Sequence, residues 1–286
     1  MKPFKIIPLI LSAILFCQCK QEDVLPNAPI VNLGGENWTR TNLDKLIFEN
    51  FTKPYNIEVK YKWNPYETNF NRTLVPPSES QVVPVLRALY EAWMVPFEKL
   101  GGKNFLKDNP ISKFVLIGSP EYQTDGTIVL GTAEGGTKVT INNVNEFILD
   151  NEASLTEMLT IIHHEYTHIL NQTFVYPVAW QRISTRWYTP TWFNTDQVGA
   201  NQQGLITPYA KASAKEDFAE TVAFLLVRGQ DTYDWIKDQY PDAAPIFKLK
   251  QDIVEKYFKD AFGINFKELQ REIQRALSNL FFSSRP

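Results

Sequence analysis

The sequence predicts an α+β fold, with a small mixed sheet in an N-terminal lobe and an α-helical C-terminal lobe. Three observations lead to this prediction. Short alternating or continuous apolar runs, typical of strands, precede residue 143. A long amphipathic helix follows them. A second amphipathic helix and three further helical stretches then occupy the chain after residue 213. A hydrophobic content of 44% and an aromatic content of 13% suffice for one large core.

The first predicted elements are a short helix from Thr41 and a strand over residues 56–63. In this strand, apolar side chains alternate with charged ones at four positions: Ile57, Val59, Tyr61 and Trp63. Such alternation predicts a strand with one buried face. Residues 82–100 are predicted to be helical, and the apolar run over residues 113–118 predicts a buried strand.

A hairpin is predicted next, formed by strands over residues 127–133 and 137–142. Gly135 and Gly136 lie between them and suit a tight turn. The second of these strands is expected at the edge of the sheet. An edge strand can align an extended peptide through main-chain hydrogen bonds.

The long amphipathic helix is predicted to begin at a capping box formed by Ser154 and Glu157. Its apolar residues then recur at helical spacing: Leu155, Met158, Leu159, Ile162, Tyr166 and Ile169. His164 and His168 lie on the side roughly opposite to this stripe. Residues four positions apart lie one above the other on a helix, so the two imidazoles can hold one metal ion.

Glu165 completes an HExxH motif with the two histidines. It lies about 100° around the helix from His164, so its carboxylate can reach a water molecule on the metal instead of the metal. The motif predicts one catalytic Zn²⁺ ion with Glu165 as the general base. The alternative is a pair of partly exposed histidines on a surface helix. His163 is out of register with the pair and is predicted to flank the site.

A catalytic zinc site needs a third protein ligand and an open position for water. No histidine follows His168, so the third ligand is expected to be a downstream carboxylate. Asp196 lies in an irregular stretch, whereas Glu216 and Glu220 share one face of the helix over residues 213–229. We therefore predict Glu216 as the ligand and retain Glu220 and Asp196 as alternatives.

This second helix also has a simpler interpretation. Ser213 and Glu216 fit a capping box, in which the carboxylate would only reach back to the start of the helix. Two carboxylates one turn apart usually mark a solvated face. The missing ligand of the HExxH helix favours the metal-binding interpretation. Glu220 is then predicted to accept the free ring N–H of a ligand histidine and so fix its tautomer.

Residues 174–208 form an irregular segment between the two helices and contain six large aromatic residues: Tyr176, Trp180, Trp187, Tyr188, Trp192 and Phe193. Aromatic residues are usually core residues. A long irregular segment inside a compact domain, however, is usually functional. The segment therefore stays open between core packing and a substrate subsite, in which Arg182 and Arg186 could bind a carboxylate.

The N-terminus predicts a lipoprotein signal peptide over residues 1–18. A basic start precedes an apolar run over residues 6–17, which is too short to span a membrane. The only two cysteines, Cys17 and Cys19, are too close in sequence for a structural disulfide. We predict Cys19 as the lipidated residue and Cys17 as the alternative. The charged residues after Cys19 resemble the export tag of surface lipoproteins in some Gram-negative bacteria.

The rest of the chain is predicted to comprise a lipidated tether over residues 19–36 and a single domain over residues 37–286. The net charge of −3 at pH 7 offers no basic patch for a nucleic acid. The membrane is therefore expected to be contacted through the lipid anchor only, and nucleic acid is not an expected partner.

The HEYTH run, followed by Tyr209, Glu216 and Glu220, resembles the gluzincin metallopeptidases of the anthrax lethal factor type. The resemblance covers residues 150–228. It implies that Glu216 binds the zinc in preference to Glu220. It also implies that Tyr209 hydrogen-bonds the oxyanion that develops during hydrolysis. The order of strands before the HExxH helix is that of the upper lobe of a zincin.

Over its whole length the chain resembles the bacterial lipoproteins called substrate import-associated zinc metallohydrolases, which are placed among the zinc-binding metallopeptidases. Three segments carry this resemblance: residues 50–63, residues 163–172 and residues 215–220. It implies a lipid-anchored protein of the outer membrane, exposed on the cell surface, that works beside a TonB-dependent transporter and its surface lipoprotein.

Together these features predict a zinc-dependent, metallopeptidase-like hydrolase that cleaves a peptide or glycopeptide near a nutrient importer. Two alternatives remain. One is a catalytically silent, zinc-containing lipoprotein that binds nutrients. The other is a zinc amidohydrolase that acts on a non-peptide bond. Glu165 argues against the first alternative, because a binding protein needs no base beside its metal.

Overall fold

The helix that carries the HExxH motif packs between a small sheet on one side and helices from both ends of the chain on the other. The structure is a computed structural model that describes residues 39–69 and 71–284. The predicted signal peptide, the tether and both cysteines lie outside these residues. All elements given below belong to the unit Thr41–Pro286. The predicted domain boundaries stay predictions.

The α+β fold class is confirmed, whereas the two-lobe arrangement stays a prediction. The α-helices of four or more residues in the described part of the chain are α1 (Asn42–Ile47), α2 (Glu79–Leu89), α3 (Val95–Gly101), α4 (Phe105–Asp108), α5 (Glu152–Thr173), α6 (Val178–Gln181), α7 (Gln197–Gln202), α8 (Ala214–Gln239), α9 (Ala244–Phe262) and α10 (Phe266–Ser283). The strands are β1 (Glu58–Lys60), β2 (Lys113–Leu116), β3 (Glu121–Tyr122), β4 (Ile128–Val129), β5 (Gly131–Glu134) and β6 (Lys138–Ile141). A π-helical turn, Tyr90–Met94, joins α2 to α3 and makes the helix predicted over residues 82–100 continuous.

Four strands form one sheet in the order β1-β2-β6-β5. Strands β1, β2 and β6 are parallel, and β5 is antiparallel to β6. The prediction that the second hairpin strand lies at the edge was wrong, because β6 is paired on both sides. Three of its four residues, Val139, Thr140 and Ile141, are buried, as a central strand requires. The edge beside α5 is formed by β5.

The predicted hairpin is present between β5 and β6, but its first strand is shorter than expected. Only residues Gly131–Glu134 pair with β6, while Ile128–Val129 pairs with β3 in a separate two-stranded sheet. Asn142 marks the separation, because its main-chain and side-chain N–H groups bind the carbonyls of Leu130 and Val129. The chain therefore passes from the two-stranded sheet into the main sheet only where β5 begins.

The first strand was also predicted too long. Strand β1 covers three residues of the predicted span, residues 56–63. Ile57, Val59 and Tyr61 are buried as the alternation predicted, whereas Trp63 is 45% exposed. The buried positions of the alternation therefore end at Tyr61, one residue after the strand ends at Lys60.

Helix α5 begins three residues earlier than predicted. Asn151 is its N-cap, and the Asn151 side chain accepts a hydrogen bond from the main-chain N–H of Ser154. The Ser154 hydroxyl instead accepts a hydrogen bond from Ile148 N–H, so the predicted capping box with Glu157 was wrong. The predicted apolar stripe is buried at all six positions: Leu155, Met158, Leu159, Ile162, Tyr166 and Ile169.

Helix α8 is broken at Gly229, where the sequence predicted a helix end. Gly229 has φ 83° and ψ 172°, a conformation that L residues rarely adopt, and the chain then resumes a helical path to Gln239. The amide of Gln274 on α10 donates to Leu226 O, in the turn that precedes the break. Gln270 binds Leu225 O in the same way.

Most buried apolar side chains form one large cluster, to which both ends of the described chain contribute, and a second, small cluster contains Ala200, Leu205 and Ala210. Trp93 and Phe97 make edge-on ring contacts with Tyr166 of α5, with centroids 5.0 and 5.1 Å apart. Helix α10 packs against α3, α5 and α8. Within residues 39–69 and 71–284, no helix combines the length and the apolar character needed to cross a membrane.

Candidate metal centre

The structure brings His164, His168 and Glu216 together at one point. The Nε2 atoms of the two histidines are 3.0 Å apart. Glu216 Oε2 lies 3.0 Å from His164 Nε2 and 3.1 Å from His168 Nε2. Three potential ligand atoms thus form a nearly equilateral triangle, with both histidines buried and the glutamate half-buried.

Two packed helices produce this convergence. Helix α5 places His164 and His168 one turn apart, and α8 supplies Glu216 from its first turn. Ser213 caps α8 by accepting a hydrogen bond from the main-chain N–H of Glu216. Only half of the alternative capping box is therefore present, because the Glu216 carboxylate contacts the histidines instead. A carboxylate in the first turn is also stabilised by the helix dipole.

The triangle suits a single zinc ion. A tetrahedral zinc ion with bonds of about 2.0–2.1 Å separates neighbouring ligand atoms by about 3.3 Å. The three atoms here are 3.0–3.1 Å apart. Two imidazole nitrogens and one carboxylate oxygen are also a donor set that zinc accepts. Among the described residues, His164, His168 and Glu216 therefore fit the group that the HExxH motif predicts.

The protonation states of His164, His168 and Glu216 depend on one another. Burial disfavours the imidazolium form of His164, but the carboxylates of Glu216 and Glu220 raise its pKa to about 10. Burial likewise disfavours ionised Glu216, yet its hydrogen bonds with the two histidines hold its pKa far below the usual range. Burial lowers the pKa of His168. A bound cation would displace the proton held between His164 and Glu216, because metal ligands must be deprotonated.

Glu220 lies behind His164, on the side away from the triangle. Its Oε1 is 2.7 Å from His164 Nδ1, although the contact falls outside hydrogen-bond geometry. The other oxygen, Oε2, accepts a 2.6 Å hydrogen bond from the Thr207 hydroxyl. Glu220 therefore lies next to the candidate ligand His164, as the sequence predicted. The distance between the two side chains allows Glu220 to orient the His164 imidazole.

Thr207 was missed by sequence reasoning. Its hydroxyl donates to Glu220 and accepts a 3.2 Å hydrogen bond from Ala210 N–H, in the turn that carries Tyr209. No spacing or pattern in the sequence pointed to this residue, because its role depends on the packing of the turn against α8.

Glu165 lies beside the triangle without joining it. Its side chain is buried against edge strand β5, where a Cβ atom added to Gly131 would approach Glu165 Oε1 to 3.3 Å and Ile161 Cγ2 to 2.4 Å. The close approach of strand and helix therefore depends on this glycine. Burial, and secondarily the nearby Glu216, raise the pKa of Glu165 to about 7.

Tyr209 lies across the cleft from the HExxH helix. Its ring centroid is 5.8 Å from that of His164 and 4.9 Å from that of Trp192. Burial and the neighbouring carboxylates raise the pKa of Tyr209, so its hydroxyl stays protonated at neutral pH and can donate a hydrogen bond. The geometry places Tyr209 in the same cavity as Glu165.

The aromatic segment over residues 174–208 is divided between the core and the wall of the cleft, and its use as a substrate subsite stays a prediction. Trp180 is fully buried and donates a hydrogen bond to Ala214 O at the start of α8. Trp192, in contrast, lines the cleft beside Tyr209. Part of the segment is therefore core and part is cleft wall, a division that the aromatic content alone could not reveal.

A buried ion pair supports the helix that bears Glu216. Asp217 is fully buried and pairs with Lys250 of α9 at 2.7 Å. Lys250 also donates to Gly204 O, and Tyr188 donates to Asp217 Oδ2. The residue next to the candidate ligand thus connects α8, α9 and the aromatic segment.

The other nominated residues lie outside the cluster. Asp196 caps α7 by accepting a hydrogen bond from Gly199 N–H, so its role as third ligand is not supported by its position. His163 is buried, with Nε2 3.3 Å from Ala92 O. Arg182 and Arg186 are exposed, and the Arg186 guanidinium lies 4.7 Å from the centroid of a neighbouring indole ring.

A cleft of about 570 Å³ opens beside the triangle. Its walls comprise β5 and the preceding residues, α5, α8 and the aromatic pair Trp192 and Tyr209. His164, Glu165 and Glu220 line one end of it. A substrate in this cleft would contact His164, Glu165 and the Tyr209 phenol together.

The chain is similar to a known protein family and to a solved structure. The model of a family described as "Putative zinc-binding metallo-peptidase" matches residues 36–267. No curated protein matches the chain. The chain is 32% identical to a crystal structure described as a putative zinc-binding metallo-peptidase from Bacteroides caccae ATCC 43185. That similarity has a TM-score of 0.70 and covers 83% of this chain and 92% of the other.

Proposed function

Because the chain belongs to the family described as putative zinc-binding metallo-peptidases, we propose that it is a zinc-dependent hydrolase that cleaves a peptide or glycopeptide. The observation that carries this proposal is the position of Glu165. Its carboxylate is buried in the cleft beside the triangle of His164, His168 and Glu216. A protein that only binds zinc or a nutrient has no use for such a carboxylate.

The proposed site is of the gluzincin type, with His164, His168 and Glu216 holding one zinc ion. When bound, the ion lowers the pKa of a water molecule towards about 7 and polarises the substrate carbonyl. Glu220, 2.7 Å behind His164, keeps that imidazole in the orientation needed for binding.

Two side chains of the protein carry out the remaining steps of the proposed reaction. Glu165 accepts the proton of the attacking water and delivers it to the leaving amine. Tyr209 donates a hydrogen bond to the carbonyl oxygen as that oxygen becomes negative. The location of Tyr209 in the cleft, with its ring 5.8 Å from that of His164, supports this role.

Glu165→Gln tests the proposal. The variant keeps the shape of the side chain but cannot accept the proton, so we expect hydrolysis to fall by about 10²–10⁴-fold. Zinc content measured by elemental analysis should stay at one ion per chain. Glu152→Gln, on the exposed first turn of the same helix, is the matched control and should remain fully active.

Mass spectrometry of the products of a peptide and glycopeptide library gives the readout. Peptide products from the wild type that disappear with Glu165→Gln support the proposal. Full activity of Glu165→Gln on a substrate that the wild type cleaves would refute it. Products from a non-peptide amide would point instead to an amidohydrolase.

We also propose a location for this reaction, on the basis of the sequence. The apolar run over residues 6–17 and the adjacent Cys19 support a lipid anchor. The resemblance to import-associated lipoproteins supports a position on the outer membrane beside a TonB-dependent transporter. A Cys19→Ala variant that still fractionated with membranes would contradict the choice of this cysteine.

A further inference from the structure

The cleft beside the metal triangle continues into a second cavity. The first has a volume of about 570 Å³ and the second about 390 Å³. Four residues line both cavities: Leu130, Glu157, Ile161 and Arg228. These shared residues mark a passage away from the metal triangle, between α5 and α8.

The two helices fix how far this passage lies from the metal. They run antiparallel, because Glu220 meets His164 while Arg228, further along α8, shares a cavity wall with Glu157, nearer the start of α5. Glu165 and Glu157 are eight residues apart, as are Glu220 and Arg228. Eight helical residues rise about 12 Å. The passage, at Glu157 and Arg228, therefore lies about 12 Å along the helices from Glu165 and Glu220.

Arg228 brings a positive charge to this passage. Its side chain is exposed, and no described residue forms an ion pair with it. Two exposed carboxylates, Glu157 and Glu146, face the second cavity as well, and neither is within ion-pair distance of Arg228. Among the described residues, Arg228 is the only arginine or lysine that lines either cavity, and its guanidinium is left available to a ligand.

The backbone beneath Arg228 is held firmly. Arg228 occupies the last turn before the break at Gly229, where the negative end of the helix dipole favours a cation. Gln274 binds the carbonyls of Leu226 and Val227 in that turn. Because its backbone is fixed and its guanidinium is unpaired, Arg228 is well placed to bind an anionic group of a ligand.

We propose that Arg228 forms a subsite that binds a carboxylate of the substrate, two to four residues away from the hydrolysed bond. The inference rests on the proposed function, because it takes the bond to lie at the metal. A guanidinium binds carboxylates through two parallel hydrogen bonds. An extended peptide covers 12 Å in three or four residues at about 3.3 Å each, and the arginine side chain shortens that span.

The character of the walls adds to this specificity. Leu130 and Ile161 lie at the junction of the two cavities and are apolar, so the residue preceding the carboxylate is expected to be apolar too. Glu157 lines both cavities together with Arg228, so its carboxylate repels a second negative charge. The subsite therefore accepts one carboxylate and discriminates against acidic clusters.

The test measures binding of metal-anchored probes and needs no turnover. The probes are peptidyl hydroxamates, whose hydroxamate chelates the zinc, followed by Leu and then by Asp or Asn at the second, third or fourth position. One series extends from the hydroxamate towards the peptide C-terminus and the other towards the N-terminus. All carry terminal amides except one set with a free C-terminal carboxylate, which separates a chain end from an acidic side chain.

Calorimetry on the zinc-loaded protein gives the ratio of Kd values for each Asn and Asp pair. We expect the wild type to bind the Asp probe about three- to tenfold more tightly at one position. Arg228→Gln should bring the ratio to about one, and Arg228→Glu should invert it. Glu157→Gln should increase the ratio, because it removes the repelling charge. Arg271→Gln, an exposed arginine on α10, should leave it unchanged.

The proposed subsite is refuted if the ratio of Kd values for the Asn and Asp probes is the same in the wild type and in Arg228→Gln. It is also refuted if the wild-type ratio is one at every position. A difference seen only with the free C-terminal carboxylate would identify the chain end as the ligand. Because the probes bind without being cleaved, this result does not depend on the hydrolysis that the Glu165→Gln experiment tests.

Discussion

At the scale of single residues, the Thr207 hydroxyl connects two parts of the site that belong to different elements. It donates to Glu220, which lies 2.7 Å from the candidate ligand His164, and it accepts a hydrogen bond from the turn that carries Tyr209. Residues that orient a ligand typically contribute 10–100-fold to metal affinity. Thr207 acts on His164 indirectly, through its hydrogen bond to Glu220.

We therefore expect Thr207→Val to weaken zinc binding by about tenfold. Valine has the same shape but lacks the hydroxyl, so Glu220 loses a hydrogen bond and His164 loses its fixed orientation. Thr207→Ser keeps the hydroxyl and should restore most of the affinity. Competition with a chromophoric chelator measures the effect. Equal zinc affinity of a folded Thr207→Val variant and the wild type would contradict this role.

The sequence could nominate the three residues of the triangle for physical reasons. The spacing of His164 and His168 is local, and the requirement for a third ligand left few carboxylates to consider. Thr207, Trp192 and Arg228 could not be nominated in this way, because their contribution depends on which segments pack together. A lone threonine, tryptophan or arginine carries no spacing signal.

At the scale of elements, Glu67 ties a short 3₁₀ turn, Pro65–Glu67, to the sheet. Its carboxylate accepts hydrogen bonds from Lys113 of β2 and Lys138 of β6. These lysines lie on neighbouring parallel strands, paired directly with each other. The hydrogen bond with Lys113 lowers the pKa of Glu67 from its usual 4.5, and burial opposes that shift.

We expect Glu67→Gln to destabilise the metal-free protein by a few tenths to about 1 kcal/mol at pH 7. The folded-state pKa is depressed, so this stabilisation is fully present above the unfolded-state value of 4.5. It is lost as the pH falls through the lower folded-state pKa. Urea unfolding at pH 7, 5 and 3 should show the two proteins converging at the lowest pH.

Glu49→Gln controls for the loss of one negative charge, because Glu49 pairs only with exposed Lys53. A difference between Glu67→Gln and the wild type that persisted unchanged at pH 3 would show that packing, and not charge, determines the role of Glu67.

The helices were easier to predict than the strands. The apolar stripe of α5 and the glycine at position 229 are local signals, and both correspond to observed features. Strand pairing is not local. The chain passes from the two-stranded sheet to the main sheet at Leu130, where Asn142 binds the carbonyls of Leu130 and Val129. The alternation of apolar residues in the sequence does not indicate this contact.

At the scale of the whole molecule, the Asp217–Lys250 pair fastens the C-terminal helices to the site. Both side chains are almost completely buried, at 0% and 1% exposure. Removing one partner of a buried pair leaves an uncompensated charge, which typically costs about 3–5 kcal/mol. The sequence predicted α9 as a helix but gave no reason to place one of its lysines beside the metal-bearing helix.

We expect Lys250→Met to lower the free energy of unfolding by about 3–5 kcal/mol in urea denaturation. The double variant Asp217→Asn with Lys250→Met should recover part of this loss, because it removes the unpaired carboxylate. Lys248→Met is the matched control, since Lys248 makes only an exposed pair with Asp252 on the same helix. A loss for Lys250→Met no larger than that of Lys248→Met would exclude a stabilising role for the buried pair.

The contacts of α9 and α10 have a consequence for the order in which the protein is made. His164, His168 and Glu216 all precede Lys250, Gln270 and Gln274 in the chain, so they are synthesised first. Until then Asp217 has no cation, and the carbonyls of the last turn before Gly229 have no amide partners. During synthesis the complete candidate ligand set therefore precedes the residues that bind α8 from the C-terminal side, and the metal centre gains these supporting contacts only after α9 and α10 have been made.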